Sequence, residues 1–232
     1  MMMPENHLPT LYAAADLNLQ LPDAKDLITP EDASRTRELI REGGAYTPAG
    51  QALQATKGVA QYLGTDSAGA KKFYNDLPNE DKVQNGNVRY VTHSALNKEV
   101  SRRIQEPRDV YKLERLKDAE ACLNAFRDHP ELEKRRLLAE SKIRRELPKL
   151  KQKMLKAENI TNCQVSGEPL QPDAEVHHIE RQADQPHKSL EPANLLLINK
   201  PPHREIHDAA AHSPDALASL ALEKKWPYKP RT

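Results

Sequence analysis

Apolar residues recur along this chain first at helical spacing and then at strand spacing. Val110, Leu113, Leu116, Leu123 and Phe126 predict a helix from about Pro107 to Asp128. Asp128-His129-Pro130-Glu131 restarts a helix that carries Leu132, Leu137, Leu138, Ile143 and Leu147. Pro148 then breaks or kinks it, and a basic amphipathic stretch follows to Lys156. Upstream, Thr29-Pro30-Glu31-Asp32 opens a helix that Gly43-Gly44 stops. Thr47-Pro48 is read as opening a second helix ending near Gly64, and Asp66 or Ser67 as capping a third that ends before Pro78. Residues 82–91 alternate around Asn85-Gly86, a hairpin signal. Further on the period changes: Ala174–Ile179 and Asn194–Ile198 read as short strands, and Asn199 caps a helix started by Pro201-Pro202.

The expected class is therefore α+β and mainly α: a helical N-terminal region (1–106), long charged helices with a basic connector (107–158), and a small strand–strand–helix module (159–232). Asn159–Asn162 is the expected boundary. Three short helices followed by a hairpin is also the order of a winged helix, which would bind DNA or a partner; the alternative is a small helical domain with one β-turn.

Composition narrows the class. The chain has 232 residues, two cysteines, 30% charged residues and 4% aromatics. Two cysteines and no C-x-x-C exclude a disulfide framework and a four-cysteine zinc site. The N-terminal stretch Met1–Leu27 lacks a basic segment followed by an unbroken apolar run, and no apolar stretch approaches the roughly 20 residues of a membrane helix. The expectation is a soluble, cytoplasmic protein of a reducing compartment with no membrane partner. The net charge of +1 averages unlike parts: residues 134–156 hold ten Lys/Arg against two Glu, and both flanking regions are acidic.

Histidine is clustered as well. Six of the nine lie between His177 and His212. His203 and His207, at i and i+4, share one helix face and can share one cation. If the two strands form a hairpin, the pair His177-His178 is brought against that face. Three imidazoles then converge on a metal while the fourth stays free to act as a base.

The pattern H-H-x15-N-x8-H-x3-H, over His177, His178, Asn194, His203 and His207, resembles the HNH nucleases of the ββα-metal fold. The E-x-H-H opening at Glu175 resembles the colicin- and pyocin-type DNases in particular. The resemblance implies that His178 is the general base for an attacking water and that His177, His203 and His207 bind one divalent metal. It implies that Asn194 holds the loop at His178, and that Glu175 is a carboxylate supporting the ligands. Mg²⁺ or Mn²⁺ would serve activity, with Zn²⁺ or Ni²⁺ suiting the imidazole donors. Many HNH proteins add two C-x-x-C pairs around the fold; only Cys163 lies nearby here, so packing must hold the module and Cys163 reads as a buried thiol.

The function expected on this resemblance is a metal-dependent endonuclease acting on double-stranded DNA, leaving 5′-phosphate and 3′-hydroxyl ends. Arg144, Arg145 and Lys149 of the basic stretch, and Lys200 and Arg204 on the metal helix, are the candidate phosphate contacts. His187 and His212 read as solvated. The biological setting is a phage, mobile element or host-defence system. The alternatives are a toxin-type DNase neutralised by an immunity protein, and a non-catalytic DNA-binding or adaptor protein that retains the module. Oligomeric state is left open by the sequence.

Overall fold

A computed structural model describes residues 10–230 and divides the chain into two compact units, with the break between Leu137 and Leu138. The first nine residues, part of the stretch read as lacking a leader, lie outside the described residues. The chain is mainly helical α+β with small antiparallel sheets. The break falls inside the connector and not at 159–162: residues 107–137 belong to the N-terminal unit and 138–158 to the C-terminal one.

In the N-terminal unit, β1 (Tyr12–Ala13) is followed by α1 (Pro30–Gly43). Thr29 Oγ1 accepts from the Asp32 N–H, with Pro30 preset for the first turn. The expected second helix is absent. Gly44–Tyr46 (β2) and Ala52–Ala55 (β3) pair as an antiparallel hairpin, followed by a 3-10 turn and the short α2 (Val59–Tyr62). The Thr47-Pro48 signal serves the hairpin turn instead. Thr47 Oγ1 accepts from Gln51 N–H, and its carbonyl from Gly50 N–H. Gly50 has φ +79°, and a Cβ there would lie 2.3 Å from the Leu132 carbonyl oxygen. Every residue of β3 is buried, so the alternation that marks a half-exposed strand is missing from its sequence.

α3 (Ser67–Asp76) starts at Asp66, and the hairpin β4 (Lys82–Asn85) and β5 (Val88–Thr92) turns through Gly86 at φ +58°, as expected. The sheet order is β1-β2-β3-β5-β4, all antiparallel, so a five-stranded sheet stands where the winged-helix order expected helices and one hairpin. α4 (His93–Ile104) and α5 (Val110–Arg127) are capped by the side chains of Thr92 and Asp109. Ile40, Leu63, Leu96, Leu116, Leu123 and Phe126 fill the core. Each side chain so buried removes apolar surface worth about 1.5–3 kcal/mol. Arg37 forks onto Asp118 at 2.8 and 3.0 Å, joining α1 to α5.

α6 (Pro130–Glu146) runs through the break, and Pro148 converts the chain to a 3-10 turn before α7 (Leu150–Glu158). In the C-terminal unit β6 (Glu175–His178) and β7 (Leu195–Ile198) form an antiparallel ribbon that pairs Glu175 with Ile198, His177 with Leu196 and His178 with Leu195. α8 (Lys200–Asp208) and α9 (Pro214–Lys224) follow. The run Leu195–Ile198 is continuously apolar because both faces of the ribbon are covered. Leu196 and Ile198 pack with Ile206 and Leu217 on one face, and Leu195 and Leu197 with Leu150 and Met154 on the other. Among the described residues no helix is long and apolar enough to cross a membrane.

Candidate metal centre

The ribbon's register decides which side chains meet. Residues directly opposite on an antiparallel pair share a face, so Glu175 and His177 project with Ile198 and Leu196 toward Ile206 of α8. His178, one residue on, belongs to the other face and to the end of the strand. Pro202 and Ile206 bury the inner side of α8, which sets His203 and His207 side by side one turn apart.

His177, His203 and His207 each offer a nitrogen within 4.8 Å of the other two, a group that can hold one metal ion. His207 Nε2 stands 3.1 Å from His203 Nε2. Two imidazole donors on one tetrahedral zinc, at about 2.0–2.1 Å each, are about 3.3 Å apart. His203 Nδ1 donates to Glu175 Oε2 at 2.6 Å, since a carboxylate can only accept. That contact leaves the His203 Nε2 lone pair facing the group, the usual support for a metal-binding imidazole. His177 is 2% exposed, and its Nε2 is buried with no hydrogen-bond partner among the described residues. An orphaned nitrogen beside two imidazole nitrogens that share a proton, which a cation can replace, fits a metal ion.

The electrostatics agree. Burial first, and then neighbouring His203, His207, His212 and His178, push the His177 pKa down to about 3. Burial and the adjacent imidazoles lower His207 too. Neutral imidazole is the form that binds metal, so the fold holds His177 and His207 ready at neutral pH.

His178 stands beside this group with its own anchor. Its Nε2 lies 3.0 Å from the Ser189 carbonyl oxygen, which can only accept. The proton is therefore on Nε2, and Nδ1 keeps a lone pair. Asn194 is buried and braces the loop that carries this carbonyl. Its Nδ2 donates to the carbonyls of Glu180 and Lys188 (3.1 and 3.2 Å), and its Oδ1 accepts from the Glu180 N–H at 2.8 Å. Asn194 is thus a positioning residue.

Other candidates fare differently. The Asn199 side chain does not cap α8; it accepts from Gln171 N–H and donates to the Pro169 carbonyl, tying down the 169–171 loop. Cys163 is buried, and its Sγ accepts from the Ser166 and Asn199 N–H groups. Arg144 pairs with Glu140, Lys149 with Glu146, and Lys200 with Asp173. Arg145 and Arg204 have no ion pair among the described residues, and Arg204 is exposed on α8. His187 is exposed, as expected.

His212, expected to be solvated, is so only in part. It is half-buried, with its ring centroid 5.2 Å from that of His207 and its Nδ1 shielded and unpartnered among the described residues. Five residues beyond His207 it is out of phase with the helix, so spacing gave no sign of it. The left-handed turn at Ala210 (φ 49°) brings it back. The Ser189 carbonyl was equally hidden, because any residue supplies one.

Comparisons with family models, with curated proteins and with solved structures found no match for this chain.

Proposed function

We propose that the C-terminal unit is a metal-dependent endonuclease that hydrolyses phosphodiester bonds in DNA. The observation that carries this reading is the convergence of His177, His203 and His207 on one point, with His178 beside them and its ring fixed by a main-chain carbonyl. Three protein donors leave a coordination position open, the arrangement of catalytic rather than structural sites. A divalent cation bound there supplies a Lewis acid for a phosphate and its leaving oxygen.

The chain's own residues do the rest. His178 accepts a proton at Nδ1 from an incoming water, as a general base does. The water oxygen forms a new bond to phosphorus as the bond to the 3′ oxygen breaks, and that oxygen takes a proton from solvent. Asn194 and the Ser189 carbonyl keep the His178 ring from rotating, so its lone pair stays aimed. Glu175 keeps His203 in the metal-binding tautomer. Arg204 and Arg145, without an ion pair among the described residues, are suited to backbone phosphates. Mg²⁺ or Mn²⁺ is the working ion in this reading, and Zn²⁺ or Ni²⁺ the tighter binder.

The test is plasmid nicking by the purified chain with Mg²⁺, Mn²⁺, Ni²⁺ or EDTA, wild type beside His178→Ala. Loss of the base should slow nicking by about 10²–10⁴-fold. No nicking with any metal, or a His178→Ala protein that cuts like wild type, would sink the proposal.

A further inference from the structure

His212 has no place in the mechanism above, yet it lies against the ligand group. Its ring is 5.2 Å from His207, while the His177 ring lies 5.6 Å from His207 and 5.1 Å from His203. His212 therefore stands as close to a ligand ring as the ligands stand to one another. Its Nδ1 is buried without a partner among the described residues, an arrangement that costs free energy unless something binds there.

The backbone that puts it there is itself unusual. α8 ends at Asp208, Ala210 adopts φ 49°, and the His212 N–H donates to the Ala210 carbonyl at 2.9 Å. A left-handed conformation is unfavourable for alanine, and such strain persists where surrounding structure enforces it. Ala211 is buried and its N–H donates to the Ile206 carbonyl, so the turn is pinned from the core side. His212 offers no nitrogen within 4.8 Å of all three ligands, so a rotation of its side chain is needed to bring one into the group.

We infer that His212 is an exchangeable fourth donor, which closes the three-histidine site around Zn²⁺ and yields its position to a DNA phosphate. The inference rests on the metal-site reading above and adds a regulation to it. Zn²⁺ favours four donors in a tetrahedron and takes imidazole readily; closed four-donor sites are structural rather than catalytic. Mg²⁺ prefers oxygen, keeps its waters and has no use for a fourth imidazole. One site then has two states: open with a hard ion and substrate, shut with zinc.

The experiment uses the full chain freed of metal and loaded with one equivalent of Zn²⁺. X-ray absorption counts imidazole ligands, and competition with a chelating dye gives affinity. Wild type should show four imidazoles, and three when a duplex oligonucleotide saturates it. His212→Ala and His212→Asn should each show three and bind Zn²⁺ about tenfold or more weakly. Free imidazole added to His212→Ala should restore the fourth, which a folding defect would not allow. Three imidazoles in wild type, with unchanged affinity in both variants, would overturn the role of His212 and leave the three-histidine site standing. Should His207→Ala bind Zn²⁺ as well as wild type does, the metal site itself is wrong and this inference goes with it.

Discussion

Among the described residues, each unit has a deeply buried histidine, and the two make a useful pair. His93 in the N-terminal unit is 5% exposed with the Asn124 side chain within bonding reach; His177 in the C-terminal unit is 2% exposed, and its Nε2 has no partner among the described residues. Burial lowers both, to about 4 for His93 and about 3 for His177. Their neighbours differ. The charges acting on His93 are those of Arg127, Asp128 and Arg136, whereas His177 is surrounded by other imidazoles. A cation beside His93 would meet two guanidinium groups and one donor; beside His177 it meets two more imidazole nitrogens. A buried, easily deprotonated imidazole is therefore by itself no sign of a site. Convergence of several is.

Metal binding breaks this comparison most sharply. Zn²⁺ at a thousand times its Kd should stabilise the chain by about 4 kcal/mol. The gain should vanish in His207→Ala, whose exposed ring removes little packing, and persist in His93→Leu. Thermal unfolding with and without Zn²⁺ reads this directly. If His93→Leu abolished the gain, the assignment of the site to the C-terminal unit would fail.

Next in size is the contrast between orphaned and satisfied polar groups inside the C-terminal unit. Asn194→Ala deletes three hydrogen bonds and strands the Glu180 N–H and two carbonyls, a loss of about 2–4 kcal/mol. Nicking should fall with it, because the loop behind His178 loosens, while the Zn²⁺ affinity of the folded protein should hold. Denaturant unfolding and dye competition separate the two effects.

Much of this was legible in the sequence, and the reasons are physical. Glu175, His177, His203 and His207 were readable because strand and helix periods are fixed numbers, and the register brings them together without further information. The helices over 110–127 and 130–146 announced themselves through apolar spacing and caps. The hairpin 44–55 did not, since Thr-Pro starts a turn as readily as a helix and a doubly buried strand shows no alternation. His212 escaped because a single left-handed residue, Ala210, undid the helical phase.

Acid titration gives a smaller effect with a definite sign. A histidine whose folded pKa is depressed contributes stability fully above the unfolded value, near 6.5, and loses it as pH falls toward the folded value. Metal-free wild type should therefore lose stability from about pH 6.5 downward, by at most about 1.4 kcal/mol per pH unit for each such histidine. His93→Leu removes one of these contributions and should flatten the melting temperature against pH between about 6 and 4. An unchanged slope would mean that His93 is not held neutral by the fold.

The smallest difference separates two arginines that look alike in the sequence. Arg144 is exposed but already paired with Glu140 at 2.6 Å, whereas Arg204 lies on α8, beside the candidate ligands, with no ion pair among the described residues. A phosphate that binds Arg144 competes with its carboxylate, so little counterion release is gained. One that binds Arg204 displaces only water and ions. Each phosphate neutralised steepens the dependence of log affinity on log salt by about 0.9. Arg204→Ala should therefore lower that slope by about one unit, and Arg144→Ala should hardly change it, both read by fluorescence anisotropy of a labelled duplex without added metal. The reverse order would take the proposed DNA contact off α8 and put it on α6.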